Sequence, residues 1–240
     1  MYRKDIDLNL WYTFYMYTWK LTSEEIDTVA SLVAKGKKEQ EKNHEFAIMD
    51  MDNFLSLFNE KEIALIQKFL SIKPDDLGYK LPYIGYPDKA PQLVAFLDQP
   101  YIFNGQPVPC QYLPVEAGEA YRKLNIAMKD EISKEVGVLY GYRSPARQAF
   151  IFFDILERKY DYDFDKTIKR VCFPDYSEHV CFQKQAIDFL TEEGVCEGLE
   201  KTEEYKWLKE NAKRFGFIES YPKDNELGMM WEPWHWRYDG

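Results

Sequence analysis

Apolar residues recur at helical spacing early in the chain and in short runs later. Ile26, Val29, Ala30 and Val33 follow one face of a 3.6-residue repeat. Thr22 and Glu25 have the form of a capping box in front of them, and Gly36 offers a stop. A second helix is predicted from Asn59 and Glu62 through Ile63, Ile66 and Leu70, ending before Pro74. The charged stretch 35–44 reads as a solvated helix end or loop, with His44 an exposed bystander. Between 75 and 114 the helical period is lost. Pro82, Pro87, Pro91, Pro100, Pro107 and Pro109 break regular structure there and leave a connector with short strands.

The pattern then tightens. Residues 115–134 repeat as a helix with Ala120, Leu124, Ala127 and Met128 on one face, and 136–142 form a short apolar strand. Ser144 and Pro145 suit a cap and a first-turn proline, opening a helix to about Arg158 with Phe150, Phe153 and Ile155 available for a core. A buried strand is expected over 185–190. A helix over 202–215 turns Leu208, Ala212 and Phe215 inward and stops at Gly216. Strands follow over 217–221 and 230–238. This mixture predicts an α+β fold. Residues 1–104 read as a mostly helical N-terminal extension and connector, and 105–240 as the domain that carries the chemistry.

Composition narrows the function. With 45% apolar residues in 240, a full core can be buried. A net charge of −10 argues against nucleic-acid binding, which needs a basic footprint. No run reaches the ~18 apolar residues of a membrane span. Met1-Tyr2-Arg3-Lys4 is followed at once by Asp5 and Asp7, so no signal peptide is recognised. As written the chain reads as cytoplasmic, with a periplasmic or secreted location left open. Cys110, Cys172, Cys181 and Cys196 contain no CxxC pair and are expected as free thiols. A Cys172–Cys181 bond clamping the intervening loop is the alternative.

Two of the three histidines sit in reactive company. His179 lies in Tyr176-Ser177-Glu178-His179, followed by Ala186-Ile187-Asp188. His235 lies in Glu232-Pro233-Trp234-His235-Trp236-Arg237. Two imidazoles, one carboxylate and one spare carboxylate are the parts of a catalytic zinc site. The spare carboxylate can activate a water. Asp188 follows an apolar pair, where an unpaired carboxylate would be costly to bury. Glu232 and His235 are three apart and would face opposite sides of a regular strand, so both can address one metal only if Pro233 bends the backbone or the strand ends there. Trp234 and Trp236 read as core or groove aromatics, and Arg237 as a structural ion-pair partner.

These blocks, together with Gly141-Tyr142-Arg143-Ser144 and Gln148, resemble the zinc D-alanyl-D-alanine carboxypeptidase and dipeptidase family of the vancomycin-resistance type. That family shares its metal-site fold with hedgehog signalling domains. The resemblance covers roughly residues 105–240 and is strongest in Glu232-Pro233-Trp234-His235-Trp236-Arg237-Tyr238. It implies a hedgehog/DD-peptidase-like antiparallel sheet with helices. It implies one zinc ion per chain on His179, Asp188 and His235, with Glu232 as general base. Arg143 is implied as oxyanion stabiliser or carboxylate clamp, and Ser177, Tyr142 and Gln148 as substrate contacts. The expected reaction is release of terminal D-alanine from a peptidoglycan stem peptide or another D-Ala-D-Ala-containing peptide. A D,D-dipeptidase, a peptidoglycan endopeptidase and a non-catalytic zinc-containing recognition module are the alternatives. One departure stands out. The family spaces its His and Asp by seven with a Gly between, whereas His179 and Asp188 are nine apart with Lys184 in the place of that Gly. An insertion of two preserves the alternation of faces, provided 180–185 bulge outward.

Overall fold

The computed structural model describes residues 19–85, 91–97 and 99–240. The N-terminal stretch weighed as a signal peptide, up to residue 18, and Pro87 lie outside them. The first helices are α1 (Ser23–Gln40), α2 (Met51–Leu55) and α3 (Glu60–Leu70). The expected capping box of Thr22 with Glu25 is present, and the second start signal, Asn59 with Glu62, is a capping box as well. Glu62 does more than cap. Its buried carboxylate also accepts from Ser31 Oγ and Lys35 Nζ of α1, each at 2.7 Å, so it ties the two helices together. Gly36 does not stop α1. It sits inside the helix, where a Cβ would fall 2.0 Å from Cε2 of Phe150. The missing side chain is a packing requirement for the opposing ring, not a terminator.

The connector forms two small antiparallel ladders. Strand β1 (Leu93–Phe96) pairs with β4 (Gln111–Pro114), and β2 (Ile102–Phe103) with β3 (Gln106–Pro107). The second is a hairpin closed by Asn104 and Gly105, both at positive φ (50° and 76°). An Asn-Gly pair is suited to that tight turn. Next come α4 (Val115–Ile132), β5 (Val136–Tyr140), α5 (Pro145–Arg158), α6 (Phe164–Thr167), β6 (Ala186–Thr191), α7 (Glu203–Asn211), β7 (Phe217–Glu219) and β8 (His235–Tyr238). Ser144 caps α5 through the backbone N–H of Arg147, with Pro145 in the first turn as expected. Beyond Asn211 the chain tightens to a 3-10 turn that ends at Gly216 (φ 81°). The last strand is shorter than expected. It begins at His235 because Pro233 and Trp234 form a turn in which the His235 N–H donates to Glu232 O at 3.0 Å.

The four-stranded sheet runs β5-β6-β8-β7, all antiparallel. Beneath it Leu124, Met128, Val138, Ile187, Phe189, Leu208, Phe217 and Trp236 form one core. A second core joins α1 and α3 to α5 through Val29, Leu32, Ile66, Phe69, Phe150, Phe152 and Phe153. Helix α5 is apolar around most of its circumference, as a helix enclosed between neighbours must be. No helix among the described residues is long and apolar enough to cross a membrane.

Candidate metal centre and cleft

Sheet register places the first donors. Asp188 on β6 stands directly opposite His235 on β8, and opposite Tyr140 on β5 across a bulge. Residues opposite each other on antiparallel strands share a face. His179 arrives from the loop before β6. The extra residues do bulge outward: Ala186 N–H donates to Glu178 O at 3.2 Å, Phe182–Lys184 form a 3-10 turn, and Gln183 and Lys184 are exposed. One ligand atom each from His179, Asp188 and His235 comes within 4.8 Å of the others, and all three residues are buried.

The outer hydrogen bonds decide how these donors point. His179 Nδ1 lies 2.8 Å from the carbonyl of Gly141, which can only accept, so Nδ1 carries the proton. His179 Nε2 is then left facing Asp188 Oδ2 at 3.3 Å. His235 Nε2 lies 3.0 Å from Glu178 Oε2, leaving Nδ1 at 2.9 Å from Asp188 Oδ1. Two imidazole edges thus converge on both oxygens of one carboxylate, an arrangement that calls for a cation between acceptors. Borderline nitrogen donors plus a hard carboxylate suit zinc, and histidines braced by a carbonyl and a carboxylate are the usual support of such sites. The residues present therefore fit the metal.

The charges agree. Burial and the Arg143 guanidinium push His179 down to about 4, keeping it a neutral ligand. Burial also works against a charged His235, but hydrogen bonds to Asp188 and Glu178 carry it up to about 10. Burial would raise Glu178, yet His235, Ser220 and Arg237 hold it at about 2. Asp188 is likewise held well below the carboxylate range by both histidines against the cost of burial. Glu232 goes the other way. Burial pushes it up to about 7, opposed by His235 and Arg170.

Each expected residue can now be placed. Glu232 sits before β8, outside the strand, which removes the facing conflict, with Oε2 at 3.9 Å from His235 Nδ1. Arg143 donates to Asp188 Oδ2 at 3.0 Å and to Gln148 Oε1 at 3.1 Å, and stacks on Tyr140. Gln148 spends its amide on the Cys172 carbonyl at 2.9 Å, so both its groups serve to position Arg143. Ser177 lines the cleft beside His179. Tyr142 is buried and is not among the described residues that line the cleft. Trp234 belongs to the sheet-side core and also reaches the cleft wall. Arg237 is the ion-pair partner expected of it, 2.6 Å from Glu178 Oε1. The thiols of Cys110, Cys172, Cys181 and Cys196 are not joined in disulfides.

Three contributors went unassigned at the sequence level. Glu178 orients His235. The signal was present, because Arg237 lies two residues from His235 on one strand and shares its face. Gly141 supplies the carbonyl for His179, and a Cβ there would fall 2.3 Å from Tyr112 O, so only Gly admits that strand so close. Arg170 pairs with Glu232 Oε1 at 3.3 Å, lies 4.4 Å over the Trp234 ring and contacts Glu197 at 3.0 Å. Nothing in its local sequence marked it. These groups border an open cleft of about 1770 Å³ that runs from the metal donors past the β2–β3 hairpin to the end of α1.

Known proteins share these features. YodJ of Bacillus subtilis (strain 168), named as a putative carboxypeptidase, is 28% identical over 233 residues, covering 91% of this chain and 78% of its own. A D-alanyl-D-alanine carboxypeptidase of Enterococcus faecalis (strain ATCC 700802 / V583) is 55% identical over 40 residues, 16% of this chain and 15% of its own. The solved structure of the LdcB LD-carboxypeptidase superposes with a TM-score of 0.51 at 31% identity, over 66% of this chain and 72% of that one. The family model described as VanY, D-alanyl-D-alanine carboxypeptidase, matches residues 111–240, from β4 through the metal donors to the last strand. The chain belongs to the VanY family of D-alanyl-D-alanine carboxypeptidases.

Proposed function

We propose that residues 105–240 bind one zinc ion per chain through His179, Asp188 and His235 and release the terminal D-alanine of a peptidoglycan stem peptide, with residues 1–104 bracing α5 and walling one end of the cleft. The observation that carries this reading is the convergence of the three donors, with the Glu232 carboxylate 3.9 Å from His235 at the same cleft. Zinc bound there supplies Lewis acidity and lowers the pKa of a water. Glu232 is the group placed to take a proton from that water and return it to the leaving amine. A carboxylate raised toward neutrality can do both. Arg143, anchored by Gln148, presents its guanidinium where negative charge develops on the scissile carbonyl. Ser177 is placed to hydrogen-bond the peptide. The open cleft is larger than a dipeptide needs and favours a longer peptide.

A second reading rests on the likeness to LdcB, an LD-carboxypeptidase. In that reading the bond cut is the next one inward, in a tetrapeptide. One experiment separates them: D-alanine release from a pentapeptide, a tetrapeptide and free D-Ala-D-Ala, by mass spectrometry, with and without a zinc chelator. Chelator-sensitive release from the pentapeptide is expected. Release from the tetrapeptide alone favours the second reading, and release from the dipeptide alone sinks both.

A further inference from the structure

Arg147 is nearly enclosed, 8% exposed, in the cleft wall on the first turn of α5. Its guanidinium lies 5.1 Å from the Phe46 ring and 5.3 Å from the Phe150 ring, so its plane is held by aromatic walls. Nη1 donates to Gln40 Oε1, at the end of α1, at 2.9 Å. That is one acceptor for a group with five N–H donors. Among the described residues Arg147 forms no ion pair. Asp154, the acid whose charge reaches it, is already held by Lys37 at 3.0 Å and Arg158 at 3.4 Å. The remaining nitrogens of Arg147 are not sealed in the interior but open onto the cleft.

A guanidinium withdrawn from water with no counter-charge is costly, and burial accordingly lowers it to about 10. The proposed reaction makes no use of it. Lys37 on the same wall is already paired with Asp154 and Glu157, which leaves Arg147 as the cation there without an ion-pair partner among the described residues. A planar fork clamped between rings, with free donors facing a peptide cleft, suits a planar anion.

We propose that Arg147 anchors an anion subsite that takes a carboxylate of the peptide substrate and is completed by Gln40 from the N-terminal helices. The proposal rests on the peptidase reading above. It gives the N-terminal region a part in substrate choice, because Gln40 and Phe46 both precede residue 105.

Two sources of a peptide carboxylate exist, an upstream acidic residue and the C-terminus, and two matched substrate pairs distinguish them. One pair is an N-acetylated pentapeptide ending in D-Ala-D-Ala with either γ-D-glutamate or its amide upstream. The other has a terminal acid or a terminal amide. kcat/KM is measured on the full zinc-loaded chain for wild type, Arg147→Met and Arg147→Lys. Charge-assisted hydrogen bonds of this kind give an acid-to-amide preference of about tenfold in wild type for one pair. Arg147→Met should bring that ratio to about one, and Arg147→Lys should keep part of it. The pair that responds identifies the carboxylate. If Met fails to fold, Arg147→Gln takes its place against Lys. Unchanged ratios in both pairs, or an equal loss on all four peptides, would reduce Arg147 to a tether for α1 and overturn the proposal. No cleavage of any peptide by wild type would instead overturn the peptidase reading itself.

Discussion

The two cores of this molecule are built differently. The helix side is held by interlocked rings, with Phe69 against Phe152, Phe153 and Phe173 at 4.4 to 5.4 Å. The sheet side is held by strand register, which sets Asp188 opposite His235. A ring stack can shift by a few tenths of an ångström and remain a stack. A cross-strand pair cannot slip by one residue without turning one donor to the face away from the other. The chemistry lies where precision is fixed by hydrogen bonds, and the helix side supports it from behind. Tyr221 belongs to the ring-rich core and stacks on His235 at 4.7 Å, and α5 carries the ring face on one side and Gln148 on the other. If the division is real, substitutions on the sheet side should remove chemistry while sparing the fold, and those at the helix seam should do the reverse.

The largest effect expected is from Glu232→Gln. It keeps the shape and removes the proton acceptor, so kcat should fall by about 10² to 10⁴-fold. Zinc content by metal analysis should remain near one per chain, and the melting temperature should hold. His235→Ala should lose both activity and metal. Retained activity in the Glu232 variant would end the proposed mechanism.

Next is Glu178→Gln, which tests whether a side chain that touches no substrate sets the metal site. Its carboxylate bridges Arg237 and His235 Nε2. Losing such an outer partner costs about 10- to 100-fold in metal affinity. Activity at saturating zinc should recover most of the loss. Failure to recover would mean that Glu178 acts in the reaction itself.

The seam gives the opposite signature. In Gly36→Ala the added methyl meets the Phe150 ring at 2.0 Å, an overlap that the ring must move to relieve. Overpacking of this kind costs about 1–3 kcal/mol, offset by up to ~1 kcal/mol of helix propensity. Thermal unfolding should show a melting temperature lower by a few degrees, with kcat unchanged below the transition.

Much of this was legible in the sequence because it is local. Thr22 with Glu25, Asn59 with Glu62, and Ser144 with Pro145 announce helix starts through bonds made within four residues. The three donors were legible because rare residue types cluster in recognisable blocks. What escaped is decided at a distance. Gly36 looked like a stop because the ring it accommodates is far along the chain. The last strand looked longer because the apolar run through Met230 and Trp231 carried it across Pro233, whereas the bend raised at that proline is where the strand has yet to begin. Arg170 shows no local sign of reaching Glu232 across the cleft. The Asn104-Gly105 hairpin was different: its signal was local and was missed inside a proline-rich stretch.

The smallest effect belongs to the insertion that set this chain apart from its family pattern. Residues 180–185 lie between two metal donors, so the sequence suggests that altering them should disturb the site. The geometry argues otherwise. Val180 and Gln185 are buried and anchor the loop, while Gln183 and Lys184 point outward. His179 is fixed by the Gly141 carbonyl, and Asp188 by its place in β6, neither of which passes through the tip. Among the described residues the Lys184 side chain pairs only with Asp239, at 4.0 Å on the surface, a pair worth well under ~1 kcal/mol. Changing Gln183 and Lys184 together to Ala should therefore leave zinc affinity within about twofold and the melting temperature within about two degrees. A larger loss of zinc would mean that the loop helps place His179, and the division between register-set chemistry and tolerant surroundings would have to be redrawn to include it.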